Sequence, residues 1–322
     1  MREMSIDRSG PQPLVTVGIP TYNRPEGLAR TLECITGQTY GDLEIIVSDN
    51  CSPDSEVGMV VRAFQQRDDP IQYFRHPKNR GGLFNFRFVL ERAAGEYFMW
   101  AADDDEWAKS YIETCLKALA NGGGCSAFTS FLIKNRARNT VIESPLPMLS
   151  PTNSTFDNAY SYLNHMTPHY IYGLHKTWSV LFVLDDHWFD WYDCYFTLRL
   201  ILDGGVVSIL GQYLYVAGID ELERPPKPFE ARADRVYTYH PFYLKCAQQV
   251  LRSAKLSGWQ KTQLLLALTA FTAHAFCENE DMKRPLQVSM VATAMRVVNL
   301  PRRCTRRGLR IARELWPRSQ HS

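Results

Sequence analysis

Three consecutive aspartates, Asp103-Asp104-Asp105, directly follow the apolar run Glu96-Tyr97-Phe98-Met99-Trp100-Ala101. Adjacent carboxylates repel one another, so stability alone does not favour the triplet. A divalent cation removes the repulsion, and hard carboxylate oxygens suit Mg²⁺ or Mn²⁺. Such ions take one or two protein carboxylates and complete their shell with water and phosphate oxygens, so the triplet points to a phosphate-bearing ligand. The competing reading is local: a solvated cap for a helix starting near Glu106. Asp49 ends a second apolar run, Leu43-Glu44-Ile45-Ile46-Val47, and has a turn residue as its bland alternative.

These carboxylates need elements to carry them. Leu14 to Ile19 reads as a short strand stopped by Pro20, and Pro25-Glu26 opens a helical pattern with Leu28, Leu32 and Ile35 on one face, ending near Gly37. A strand at Leu43–Val47, a helix around Glu56 to Gln66 and a strand at Ile71–Phe74 follow. Then come the turn Asn79-Arg80-Gly81-Gly82, a helix of about a dozen residues ending at Gly95, and the strand before the triplet. Strict alternation predicts an α/β fold with a mostly parallel sheet and flanking helices. Ligands of such sheets bind at the carboxyl ends of the strands, which puts Asp49 and Asp103 to Asp105 on one edge. Further on, Thr140 to Thr155 reads as a loop, and an aromatic-rich α/β segment runs to about Gly218. Arg224-Pro225-Pro226-Lys227-Pro228 is a breaker, and His240 to Cys277 and Gln287 to Trp316 look helical throughout. The expected layout is a body at 1–222, with halves 14–135 and 136–222, and a helical C-terminal region at 223–322.

Composition narrows the class. Of 322 residues, 45% are hydrophobic, enough for a substantial core. The eight cysteines show no C-x-x-C spacing, so neither a zinc nor a redox motif is expected. Met1 to Pro13 is polar and is not a secretory signal, and the apolar stretch Leu264–Phe276 falls short of the roughly 18 residues of a membrane span. A cytoplasmic protein is expected. Net charge is +2, yet residues 296–322 hold eight Arg and one Glu, leaving −5 for the rest. A mildly acidic body argues against a nucleic-acid partner. Arg302, Arg303, Arg306, Arg307, Arg310 and Arg313 recur at helical spacing with Leu309, Ile311, Leu315 and Trp316. That tail reads either as a basic helix lying on an anionic membrane surface or as a solvated segment.

The segment Val17-Gly18-Ile19-Pro20-Thr21-Tyr22-Asn23-Arg24 resembles the opening strand of family 2 glycosyltransferases, which have the GT-A fold. Glu44 to Ser52 is similar to their second strand, and Asn79-Arg80-Gly81-Gly82 with Asn85, then Ala94 to Tyr97, to the segment before their D-x-D motif. Asp103-Asp104-Asp105 stands where that motif belongs. The resemblance implies that Pro20, Thr21, Tyr22 and Arg24 line the nucleotide pocket and that Asp49 holds the base edge. Asn79 and Gly82 are either ligand contacts or a tight turn. Asp103 and Asp104 would lie on the donor, with Asp103 and Asp105 toward a bridging Mn²⁺ or Mg²⁺ that assists the departing diphosphate.

An inverting member also needs a base opposite the diphosphate. Family members carry it in an E-D pair ahead of a helix containing L-R-L. Here Asp193 lies six residues before Arg199 of Leu198-Arg199-Leu200, with Tyr192 in place of the glutamate. Asp190 is the competitor, and Asp185-Asp186 a weaker one. Trp188, Trp191 and Tyr192 could stack on a sugar or belong to the core. Tyr170 to Lys176 resembles the acceptor-side segment, with His169 and His175 as candidate metal or phosphate contacts. Expected partners are a nucleotide-sugar donor, UDP-linked by preference, and a saccharide, lipid-linked or small-molecule hydroxyl acceptor; the helical C-terminal part could mediate an oligomer. Two other readings stay open: a nucleotidyltransferase, for which the Gly-rich loop after the first strand is missing, and a relative that binds sugar nucleotides without turnover.

Overall fold

The computed structural model describes residues 12–67, 70–144, 146–184, 189, 191–219 and 239–277. Asp185, Asp186, Trp188, Asp190, the segment from Gln287 to Trp316 and the basic tail lie outside the described residues.

The N-terminal half runs β1 (Val15–Thr21), α1 (Pro25–Thr36), β2 (Leu43–Asp49), α2 (Glu56–Gln65), β3 (Ile71–Arg75), α3 (Gly82–Glu91) and β4 (Tyr97–Trp100). There follow β5 (Glu106–Trp107), α4 (Tyr111–Gly122), β6 (Ser126–Asn135), β7 (Thr140–Ser144), α5 (Thr155–Asn164) and the 3₁₀ turn Pro168–Tyr172. β8 (Leu174–Lys176), α6 (Thr177–Val183), α7 (Tyr192–Asp203), β9 (Val206–Ile219), α8 (Tyr239–Arg252) and α9 (Gly258–Cys277) complete the described chain. One mixed sheet has the order β3-β2-β1-β4-β8-β6-β9-β5, with β7 paired to β6.

The first four strands of that order are parallel to one another. All seven residues of β1 are buried, as expected of an interior parallel strand covered on both faces. From β1 the chain steps outward to β2 and β3, then returns to lay β4 on the other side of β1. The β1/β4 seam is therefore a topological switch point, where open α/β sheets form their ligand crevice. In register, Thr21 stands beside Asp49, and Gly18 beside Trp100, so Thr21 reaches the level of the residues just past β4. α1 forms where the spacing predicts it: Pro25 supplies a preset first turn, and Leu28, Leu32 and Ile35 bury one face against the sheet core.

The second half is mixed. β8 is antiparallel to both β4 and β6, β6 runs parallel to β9, and β5 pairs antiparallel with β9. Three sequence expectations change here. Glu106 does not start a helix: Glu106 and Trp107 form β5, because Glu106 pairs with Val216 and the Trp107 ring packs 5.4 Å from Tyr215. The first part of the expected loop, Thr140–Ser144, is β7, a hairpin partner of β6 turned at Asn139, whose φ is 51°. The helical stretch from His240 to Cys277 is broken into α8 and α9, the latter opened by a capping box in which Ser257 and Gln260 exchange hydrogen bonds. α8 packs on α7 and α9 on α5. Phe242 and Phe271 bring their rings to 6.3 and 5.6 Å from Trp191, behind the first turn of α7. No helix among the described residues is long and apolar enough to cross a membrane.

Candidate active site

At the carboxyl end of β1, Thr21 donates from Oγ1 to Asp103 Oδ2 at 2.8 Å. The chain then turns through Asn23, whose φ of 55° lies in the left-handed region that asparagine tolerates, and Asn23 N–H donates to Ser52 Oγ. Arg24 occupies the N-cap position of α1, and its Nη1 reaches both Asp103 Oδ1 at 3.2 Å and Asp104 Oδ2 at 2.5 Å. Burial pulls the guanidinium down, but the charges of Asp103 and Asp104 more than offset it and hold it above its ordinary range. Gly27 presses against the same loop: a side-chain carbon there would fall 2.1 Å from the Asp103 carbonyl oxygen. Thr31 Oγ1 bonds the carbonyls of Ala102 and Asp105. α1 thus grips the backbone of the aspartate loop from one side.

The three aspartates have three different environments. Asp103 is buried, and burial raises its carboxyl while Thr21 and Arg24 pull it back. Asp104 keeps the most open carboxylate of the pair that meets Arg24, with side-chain exposures of 23% against 10% for Asp103. Asp105 turns the other way. Its Oδ2 accepts from the Tyr215 hydroxyl at 2.5 Å and its Oδ1 from Gly218 N–H at 2.8 Å, both on β9. Burial pushes its carboxyl up to about 7 despite those two donors. Each of its oxygens accepts one hydrogen bond from β9, so Asp105 anchors the loop to that strand. Gly218 also presses from this side, since a side-chain carbon would meet Asp104 O at 2.2 Å and Arg136 Nη1 at 2.1 Å. Arg136 Nη2 donates to Asp104 O and pairs with Glu106.

Along the neighbouring edge, Asp49 is spent within the fold. Ser52 N–H and Oγ–H donate to its Oδ1, the Tyr73 hydroxyl donates to Oδ2, and Arg75 lies 3.5 Å away. Its side chain is 1% exposed, and it holds a turn in which Cys51 has a φ of 68°. The turn reading of Asn79 matches its contacts: Oδ1 accepts from Asn50 Nδ2 and from Gly81 N–H, just before Gly82 opens α3. Asn85 ties the strand ends together, donating to the carbonyls of Thr21 and Ser48. Pro20 is buried in β1 beside Ser48, whereas Tyr22 stands 44% exposed at the rim.

Asp193 sits in the first turn of α7, after Trp191 at φ 67°. Its Oδ1 accepts from Cys194 N–H at 2.7 Å, and burial holds its carboxyl above the ordinary range against that bond. The two acidic regions meet at Tyr172. Burial lifts its phenol well above its ordinary range, and the charges of Asp105, Asp193, Asp104 and Asp103 add to the lift. The carboxylate of α7 and those after β4 therefore act on one side chain. Tyr172 is held in place by its carbonyl, which accepts from the Tyr111 hydroxyl at 3.0 Å, and by its ring, 5.9 Å from Tyr215. His175 and His169 have internal roles: His175 is fully buried against the Ile171 carbonyl, and His169 pairs with Thr167 and packs on Phe131. Burial lowers both to about 4, so they are neutral at physiological pH.

Tyr172, Tyr215, Arg136 and Gly218 are the members to which sequence reasoning gave no role; Tyr172 ends the 3₁₀ turn, Arg136 follows β6, Tyr215 and Gly218 lie on β9, and no local spacing links them to the aspartates. Among the described residues no three His, Cys, Asp or Glu side chains converge as a metal site. Two carboxylates do converge, Asp103 and Asp104, on a single nitrogen of Arg24. That donor set fits an ion that completes its shell with phosphate and water, and the guanidinium nitrogen marks where positive charge is wanted.

Residues 16–176 match the sequence model of Glycosyl transferase family 2, and the chain belongs to that family. Its fold is GT-A. The GalNAc(5)-diNAcBac-PP-undecaprenol beta-1,3-glucosyltransferase of Campylobacter jejuni is 36% identical over 123 residues, 38% of this chain and 39% of that protein. Glycosyltransferase GlyG of Streptococcus pneumoniae is 33% identical over 102 residues, 31% of this chain and 33% of its own. The matches thus span less than half the length of either relative. Among solved structures, S. aureus TarS 1–349 in complex with UDP-GlcNAc superposes with a TM-score of 0.70 at 17% identity, covering 88% of this chain and 81% of that one. The mannosyltransferase PcManGT of Pyrobaculum calidifontis, in complex with GDP-Man and Mn²⁺, gives a TM-score of 0.50 at 19% identity, over 90% of this chain and 81% of that one.

Proposed function

We propose that the chain transfers a sugar from a nucleotide diphosphate sugar, a UDP-sugar by preference, to a hydroxyl acceptor with inversion at the anomeric carbon, using Mn²⁺ or Mg²⁺. The observation that carries this reading is the convergence of Asp103 and Asp104 on one nitrogen of Arg24 at the β1/β4 switch point, in a chain of Glycosyl transferase family 2. A donor laid along the β1/β4 seam has Pro20, Thr21, Tyr22 and Arg24 on its nucleotide side and Asp103 and Asp104 at its diphosphate. Those two carboxylates would hold the ion, which when bound supplies Lewis-acid charge to the diphosphate. Asp193 faces the sugar from the other side. As the acceptor oxygen bonds to the anomeric carbon, the electron pair of the old bond leaves with the diphosphate and the hydroxyl proton passes to Asp193. Burial raises the Asp193 carboxyl above its ordinary range, which makes it a stronger base than an exposed aspartate. An α-linked donor gives a β-linked product.

The acceptor class rests on the relatives. The C. jejuni protein is named for a polyprenol-diphosphate-linked saccharide, which favours a saccharide or lipid-linked hydroxyl at the cytosolic face of a membrane, with the basic tail as peripheral contact. Division of labour follows the chain: 14–135 for the nucleotide and 136–222 for the acceptor, with α8 and α9 buttressing the start of α7 through Phe242 and Phe271.

The test is thermal stability with UDP-, GDP-, dTDP- and CMP-linked ligands, each with and without Mn²⁺ or Mg²⁺. The expected outcome is stabilisation that needs one nucleotide and the metal together. Stabilisation by a nucleotide with no added effect of metal removes the metal from the reading. No stabilisation by any pair removes the donor site.

A further inference from the structure

Arg24 serves its two carboxylates in an unusual way. A guanidinium normally meets a carboxylate fork to fork, two nitrogens to two oxygens. Here one nitrogen, Nη1, lies 3.2 Å from Asp103 Oδ1 and 2.5 Å from Asp104 Oδ2, bridging two carboxylates as a point charge would. The place it fills is the one where a divalent ion shared by those carboxylates would stand. Both cannot occupy it, since a positive group within a few ångströms of a divalent ion is repelled at twice the unit-charge strength.

The backbone of Arg24 is fixed while its side chain is not. Gly27 and Thr31 lock α1 onto the aspartate loop, and Asn23 is pinned to Ser52, so the start of the side chain stays at the rim of the carboxylate pair. Beyond that point the side chain is 55% exposed. A long flexible cation on a fixed root can swing a few ångströms, and the nearest anion it would find is the diphosphate bound to the same ion.

Resting on the metal-dependent reading above, we propose that Arg24 and the divalent ion compete for the Asp103–Asp104 pair, and that the ion displaces Arg24 onto the donor's diphosphate. Without metal, Arg24 neutralises the two carboxylates and keeps the loop closed. With metal and donor, the same residue neutralises the leaving group, so one side chain has opposite effects on the two ligands. A residue that only lined the pocket would weaken or leave both.

The experiment compares the full-length wild-type chain with Arg24→Met, which keeps the aliphatic stem and removes the charge. Mn²⁺ alone is titrated and read by the loss of the free-ion electron paramagnetic resonance signal. UDP is then titrated at saturating Mn²⁺ by calorimetry. The expected result is Mn²⁺ affinity raised about fivefold or more in the variant and UDP affinity lowered by a similar factor. Arg24→Lys, which keeps the charge on a different head, is expected to fall between the two. Mn²⁺ affinity that is unchanged or weaker in Arg24→Met overturns the competition while leaving a metal-dependent transferase intact. Absence of Mn²⁺ binding in both proteins overturns the metal reading itself, and the competition with it. Circular dichroism and melting of both proteins check directly that the variant is folded.

Discussion

The aspartate loop after β4 is held from two halves of the molecule that are built differently. On one side stands the parallel half, where Thr21, Arg24, Gly27 and Thr31 reach the loop from β1 and α1. On the other stands the mixed half, where Tyr215, Gly218 and Arg136 reach it from β9 and the end of β6. The parallel half meets Asp103 and Asp104 through the Arg24 charge and the Thr21 hydroxyl. The mixed half binds Asp105 through buried hydrogen bonds and fixes it. Three adjacent carboxylates are tolerated because they are divided: two face the Arg24 cation, and the third is turned into the sheet, where burial raises its carboxyl to about 7. Here a run of like charges is not one site but a junction between a site and its anchor.

The largest expected effect tests whether the mixed half also supplies chemistry. Asp193→Asn removes the base without changing shape. Transfer is expected to fall by about 10² to 10⁴, while stabilisation by nucleotide and metal stays as in the wild type. A variant that transfers as well as the wild type moves the base elsewhere, Asp190 being next in the sequence. A wild-type chain that binds donor but never transfers, with Asp193→Asn indistinguishable from it, favours the binding-only alternative.

Next come the two glycines that press on the loop from opposite sides. Gly27→Ala drives a carbon into the Asp103 carbonyl, and Gly218→Ala drives one into the Asp104 carbonyl. Each is expected to cost about 1–3 kcal/mol of stability, seen by urea denaturation, and to weaken metal-dependent nucleotide binding. If only Gly27→Ala affects binding, the mixed half is scaffold alone and the symmetry of the comparison breaks.

The third effect is a pH dependence. Asp105 sits at about 7 in the folded chain against an ordinary 3.8. Between those values the folded chain holds a proton that the unfolded chain has released, so this group's contribution is full below about 4 and is lost as pH rises through 7. Melting wild type and Asp105→Asn from pH 4.5 to 8 should show the wild type losing ground to the variant, by about 2 kcal/mol or more. His169 and His175, lowered to about 4, act in the opposite sense but equally in both proteins. A difference that stays flat across the range would mean that Asp105 is ionised throughout and anchors as a carboxylate.

The smallest effect lies at the turn beside Asp49. Cys51 holds a φ of 68°, which costs a residue with a side chain about 1 kcal/mol and costs glycine little. Cys51→Gly should raise the melting temperature slightly without altering nucleotide binding. A fall in either would show that the cysteine side chain is needed where it stands.

The parallel half was legible because its information is local. An apolar run of strand length, a helix opened by Pro25 and closed by Gly37, and a polar or acidic residue just past each strand are all written within short windows. Alternation then places Thr21, Arg24, Asp49 and Asp103 to Asp105 on one edge without any knowledge of contacts. What the sequence left open is direction. Asp49 and Asp105 read as outward ligands and point inward, because the hydroxyls of Tyr73 and Tyr215 wait there, 24 and 110 residues away. Glu106 reads as the start of a helix and is a strand, because β9 offers an edge to pair with. Residue type and spacing decided which side chains gather at the switch point. Only tertiary pairing decided which carboxylates meet Arg24 and which turn to donors inside the fold, since burial and distant donors set that choice and neither has a sequence period.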